Sequence, residues 1–185
     1  MGFWKTTAIY GVGAIGLRAI SFLLLPLYTN LLSQNDVGWI FIIYTILAFL
    51  NVLYTHGMNG ALFKLFYASD NREIITTSIL YSVVYSLLLS CVLFIIYLIY
   101  SFLTGHAVQY ALVLIILVIA VLDTVSSRNN IILRLLERPF YYLLVCFVNV
   151  VVSIGLNIYL IQFCGLGLRG AIGALLCVSL IQFLL

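Results

Sequence analysis

The sequence predicts an all-α protein, a bundle of about six transmembrane helices, and three observations carry that expectation. Of 185 residues, 65% are hydrophobic and 7% are charged, whereas an ordinary soluble domain carries roughly 25% charged residues because its surface faces water. The mean hydropathy is +1.27. Apolar runs long enough to cross the hydrocarbon core, which takes ~20 residues, recur along the whole chain between short polar breaks. These runs do not alternate in polarity, so barrel strands are excluded and helices remain. Lipid is the expected solvent. The net charge of +3 is scattered between apolar runs and forms no basic patch, so it is no signal for nucleic acid.

The spans fall near residues 7–32, 37–63, 75–103, 108–128, 140–163 and 169–185, forming a single bundle over residues 1–185. The first carries Pro26, which should kink its outer half. The second opens after Ser33-Gln34-Asn35-Asp36, and the third after Ser69-Asp70-Asn71-Arg72-Glu73. Thr104-Gly105-His106 precedes the fourth. Arg134 to Pro139 precedes the fifth, whose first turn tolerates the proline. Gly165-Leu166-Gly167 precedes the sixth, which reaches Leu185 without a polar stop; the sequence therefore reads as the front part of a longer protein.

Orientation follows from where lysine and arginine fall. With a cytoplasmic N-terminus, Lys5, Lys64, Arg72, Arg128, Arg134 and Arg138 lie inside, and only Arg169 marks an outer end. The N-terminus is expected in the cytoplasm.

Several patterns carry no chemistry. Met1-Gly2-Phe3-Trp4-Lys5-Thr6 fits a myristoylation pattern, but a spanning helix follows at once and a lipid anchor would add nothing. No A-x-A site ends the first apolar stretch, so it is not a secretory signal. Cys91, Cys146, Cys164 and Cys177 lack C-x-x-C spacing and histidine neighbours, and read as small apolar residues filling helix contacts. Gly11-x-Gly13-x-x-Gly16 matches a dinucleotide fingerprint only literally, because that motif works between a strand and a helix. Inside a spanning helix these glycines serve close packing, as do Gly170 and Ala174. No cofactor or metal is expected.

Arg18 is the most informative residue. It lies near the middle of the first span, where an arginine costs at least ~2.5–3.5 kcal/mol and should face a cavity or a partner. Thr7, Gly11, Ala14, Ser21 and Tyr28 recur with it as a small and polar stripe. One reading is a cationic contact for an anionic substrate, since a guanidinium grips phosphate bidentately; the other is a structural ion pair or a snorkelling side chain. Asp123, in the inner part of the fourth span, is the natural partner. Side chains tilt toward their own helix's N-terminus, so Arg18 leans inward and Asp123 outward; Asp123 is equally placed to satisfy local groups near Arg128.

Other spans carry polar rows. Asn149, Ser153 and Asn157 follow at helical spacing in the fifth, with Tyr142 earlier, and two carboxamides in one span point either to a wet face or to packing. In the second, Tyr44, Asn51 and Thr55 share a face, with His56 and Asn59 nearby; His56 reads as a structural hydrogen-bonder. Ser78, Ser82, Ser86 and Ser90 form a row in the third, which favours helix packing over substrate binding. Candidate cavity residues are thus Arg18, Asn51, Thr55, Asp123, Asn149 and Asn157. An enzyme would call for clustered acids, and the five acidic residues form no such site. A membrane enzyme whose catalytic part lies outside this sequence stays open.

The segment Phe22-Leu-Leu-Leu-Pro26-Leu-Tyr28-Thr29-Asn30-Leu-Leu-Ser33, followed by Asp36-Val37-Gly38, resembles the polysaccharide-transporter, or oligosaccharide flippase, family of the multidrug/oligosaccharidyl-lipid/polysaccharide exporter superfamily. Gly57 to Tyr67, Leu133-Arg134-x-x-Glu137-Arg138 and Gly165-Leu-Gly167-x-x-Gly170-Ala171 are similar to later family segments. Asn30 replaces a usual basic residue and Val37 a usual aromatic. The resemblance implies twelve to fourteen helices in two similar bundles, of which this chain would supply most of the first. It also implies alternating-access export of an isoprenoid-diphosphate-linked oligosaccharide across the plasma (inner) membrane. The partners implied are that glycolipid, the bilayer and the missing C-terminal half of the transporter. The sibling alternative, a cation-coupled multidrug exporter, calls for a buried carboxylate in the first helix, where this chain has a cation.

Overall fold

The computed structural model describes residues 3–66, 71–104 and 110–184, with side chains omitted at 3–6, 21, 71 and 72. Every regular element among them is helical: α1 (Phe3–Leu31), α2 (Gln34–Thr55), α3 (Met58–Phe66), α4 (Asn71–Thr104), α5 (Tyr110–Leu135), α6 (Pro139–Asn157), a π-helical segment (Ile158–Phe163) and α7 (Gly167–Leu184). Six of these stretches are long and apolar enough to cross a membrane: Thr7–Leu31, Gln34–Thr55, Glu73–Thr104, Tyr110–Leu135, Pro139–Phe163 and Gly167–Leu184. The protein is an all-α, multi-pass membrane bundle. Its large apolar side chains often point outward, among them Phe22, Phe49, Val52, Leu88 and Phe102, which in water would be a liability and in lipid is the favoured arrangement.

Local chemistry sets the helix ends. Ser33 caps α2: its hydroxyl accepts the Asp36 backbone N–H at 3.2 Å and donates to the Asp36 carboxylate at 2.8 Å. Pro139 occupies the first turn of α6, where its missing N–H costs nothing. At the far end of α6 the helix widens, and the Cys164 N–H reaches back to the Tyr159 carbonyl at 3.0 Å. Gly165 and Gly167, at φ +63 and +55, then turn the chain into α7, a conformation open to glycine at little cost.

Two boundaries differ from expectation. The second span stops at Thr55 instead of running to residue 63, because His56 and Gly57 take φ values of +23 and +79 and break the helix before α3. The fourth span continues past Arg128 to Leu135; the polar residues at 126–130 are absorbed by the helix, whose apolar run resumes at Ile131. The expected breaks at Ser69-Asp70 and Gly105-His106, the N-terminal Met1-Gly2 pattern, and Tyr67 lie outside the described residues.

The chain divides into two compact units, one of Met1–Thr45 with Ile132–Leu185 and one of Ile46–Ile131. In the first, α1 packs along α6, and α6 and the π segment pack on α7. Leu24, Tyr28, Ile40, Ile161 and Ala171 form its core. Two glycines permit the close approaches. A Cβ on Gly13 would stand 2.7 Å from the Tyr142 ring, and one on Gly170 would stand 3.0 Å from the Leu160 carbonyl oxygen. In the second unit α3 packs on α4, and the buried serine row of α4 faces inward.

Candidate functional site

Arg18 sits on an exposed face of α1 and has no hydrogen-bond or ion-pair partner among the described residues. Of its expected stripe, Thr7 and Gly11 are exposed with it, Ala14 is half-buried, and Tyr28 is turned into the core; the Ser21 side chain lies outside the described residues. Asp123 belongs to the second unit, half-buried on α5 and engaged in interactions of its own.

The asparagine row of α6 is buried and closed by protein groups. Asn157 is 0% exposed; its Oδ1 accepts the Tyr28 hydroxyl at 2.8 Å, and its Nδ2 donates to the Ser153 carbonyl at 2.8 Å. The Tyr44 hydroxyl lies 3.4 Å from that of Tyr28. Asn149 donates to Gln182 Oε1 on α7 at 2.6 Å. The row is thus turned into helix packing and not toward a wet face. Its partners come from neighbouring helices, which the periodicity of α6 alone does not display.

At the α5–α6 turn a second cluster forms in the same unit. The Arg134 guanidinium hydrogen-bonds the Tyr142 hydroxyl and stands 4.6 Å from that ring's centroid. Tyr10 meets Tyr142 edge-on at 5.4 Å, and its own hydroxyl is buried without a partner among the described residues.

In the second unit Asn51 and Thr55 are half-buried near the end of α2, where the Thr55 hydroxyl donates to the Asn51 carbonyl at 2.8 Å. His56 is a hydrogen-bonder, sharing a 3.1 Å bond with the Tyr81 hydroxyl and lying 4.4 Å from the Tyr85 ring. The serine row is used for packing and bonding: Ser90 pairs with Tyr54 at 2.6 Å, and Ser82 donates to the Ser78 carbonyl at 2.8 Å.

The residue that sequence reasoning misplaced is Arg128. Counted above with the cytoplasmic loops, it is instead inside α5 and only 1% exposed. Its Nε donates to Ser82 Oγ at 2.9 Å, while its Nη1 is buried without a partner among the described residues. The signal was available in two halves, a serine row on one helix and an arginine amid an apolar run on another. Only the tertiary structure joins them.

All four cysteines are free, and among the described residues no group of histidine, cysteine and acidic side chains is arranged to hold a metal. The model of the polysaccharide biosynthesis protein family matches residues 3–185. No curated protein and no solved structure matches the chain. With a family match running through all six apolar helices, the chain belongs to the polysaccharide biosynthesis protein family.

Proposed function

We propose that this chain is the N-terminal bundle of a flippase that moves an isoprenoid-diphosphate-linked oligosaccharide across the plasma membrane by alternating access. Family membership supports a role in polysaccharide export. The observation that carries the finer reading is Arg18, a cation inside a spanning helix, exposed and without a protein counter-charge among the described residues. A charge kept at such cost marks a ligand or ion pathway, and a diphosphate is the anion that such a substrate carries. Asn149 and Asn157, in the same unit as Arg18, serve packing in the present arrangement. The reading is of a transporter and not an enzyme. An exporter driven by a cation calls for a carboxylate in the first helix, and α1 contains none.

The orientation proposed has the N-terminus inside. With Arg128 removed from the loop count, Lys5, Lys64, Arg72, Arg134 and Arg138 still stand on the inner side against Arg169 on the outer.

The test is substitution of Arg18 in the complete transporter. Arg18→Ala should abolish glycolipid export at unchanged membrane level, and Arg18→Lys should keep part of it, because lysine supplies charge without the bidentate fork. Normal export by a well-expressed Arg18→Ala protein would remove the substrate role.

A further inference from the structure

One space in the second unit is walled by α3 and α4, and the charge on its walls is negative. Its volume is about 340 Å³, within the range of small-molecule sites, roughly 300–1,000 Å³. Met58, Leu62 and Leu65 from α3 and Ile74 from α4 supply apolar walls. Glu73, Thr77 and Tyr81 line the same space and follow one another along α4 at every fourth position. Residues so spaced share one face of a helix, so a carboxylate, a hydroxyl and an aromatic ring stand in a row.

Glu73 is the only charged residue on these walls among the described residues. It is exposed, and no described cation pairs with it. Lys64, exposed on α3, is not part of the walls. Tyr81 is held in place, because its hydroxyl shares the 3.1 Å bond with His56 and its ring stacks on Tyr85 at 5.7 Å.

Depth narrows the choice of occupant. Glu73 opens the stretch long enough to cross the membrane, Glu73–Thr104, so its carboxylate lies at the level of the lipid headgroups. Thr77 and Tyr81 follow about 6 and 12 Å farther along the helix, toward the hydrocarbon. A space that is anionic at headgroup level and apolar below it matches a lipid whose head carries a cation. Glu73 repels anionic lipids. A choline head has no N–H to donate, whereas a primary ammonium offers three donors to the Glu73 carboxylate and the Thr77 hydroxyl.

We propose that the α3–α4 space binds an aminophospholipid of the phosphatidylethanolamine type, its ammonium on Glu73 and Thr77 and the start of an acyl chain against Leu62, Leu65 and Tyr81. The site is separate from Arg18 and does not depend on the flippase reading.

Native mass spectrometry of the full chain reads the preference directly, after release from mixed micelles holding equal amounts of phosphatidylethanolamine, phosphatidylcholine and phosphatidylglycerol. Phosphatidylethanolamine should be retained at least tenfold over each of the others. Glu73→Gln should bring its ratio to phosphatidylcholine near one, and Glu73→Lys should turn the preference to phosphatidylglycerol. Ala61→Trp fills the space from an exposed position of α3 and should remove the preference, whereas Arg18→Ala should leave it unchanged. A carboxylate in the first turn of a helix is favourable in any lipid, so a change of preference separates binding from that effect. Equal retention of the three lipids by the unsubstituted chain would overturn the proposal. So would an undiminished preference in Glu73→Gln or Ala61→Trp, or retention of dodecylamine as strong as that of the phospholipid.

Discussion

The bond between Tyr28 and Asn157 joins α1 to the end of α6 in the core of the first unit, and its strength can be worked out before it is measured. The hydroxyl-to-Oδ1 distance is 2.8 Å, and the two residues are 3% and 0% exposed, so neither group can turn to solvent when its partner is removed. Tyr28→Phe deletes a bond worth about 1 kcal/mol net and leaves a bare buried acceptor, which costs about 1–3 kcal/mol. Within a bilayer such bonds average about 0.6 kcal/mol by double-mutant cycles, with a maximum near 1.7, so each single change should cost about 1–2 kcal/mol. Among the described residues, Asn157→Leu leaves the Tyr28 hydroxyl with only the weaker 3.4 Å contact to Tyr44. The double variant Tyr28→Phe/Asn157→Leu replaces both partners by apolar groups and should recover part of the loss, with a coupling of about 0.6–1.7 kcal/mol. Reversible unfolding in mixed micelles, followed by the fluorescence of Trp39 in a Trp4→Phe background, supplies the four free energies. Additivity to within about 0.3 kcal/mol would refute the reasoning, because it would mean that the bond does not link the two helices.

Two further tests address packing and topology. Gly11 and Gly13 share a helix but not an environment: a Cβ at Gly11 meets nothing within 4 Å, whereas one at Gly13 strikes a Tyr142 ring fixed by Arg134 and Tyr10. Gly11→Ala should therefore stabilise by up to about 1 kcal/mol through helix propensity, while Gly13→Ala should lose that gain to overpacking of about 1–3 kcal/mol; equal unfolding midpoints for the two variants would contradict the close α1–α6 contact. In a background without native cysteines, Lys64→Cys should react with an impermeant thiol reagent only from the cytoplasmic face and Arg169→Cys only from outside, and the reverse pattern would invert the proposed orientation.

The helices were legible because bilayer thickness imposes its own ruler on composition, and six long apolar runs have few other uses. Ser33 was legible as a boundary because a cap acts over three residues. The broken end of α2 was less so, since apolar residues continue through α3 and only the left-handed backbone at His56 and Gly57 marks the interruption. The polar rows were visible, but their partners were not. Asn149 needed Gln182, Asn157 needed Tyr28, and Ser82 needed Arg128, all pairs brought together by packing between helices far apart in sequence. Arg128 shows the same limit in reverse. A cation next to Asn129 and Asn130 resembles a loop in one dimension, and only the serine face of α4 explains why it remains inside a helix.

α4 runs for 34 residues, a rod of ~51 Å at ~1.5 Å per residue. The hydrocarbon layer is ~30 Å thick, and the full bilayer with its headgroups is ~40–45 Å. At an ordinary tilt of about 20°, the helix still reaches from one headgroup layer through the other. Hydrophobic mismatch is thus built into this one element: changes in membrane thickness are met first by its tilt, and the serine row and the contacts of α3 tilt with it. Reconstitution into lipids of graded chain length should therefore alter this protein's behaviour through α4 before it affects the shorter spans.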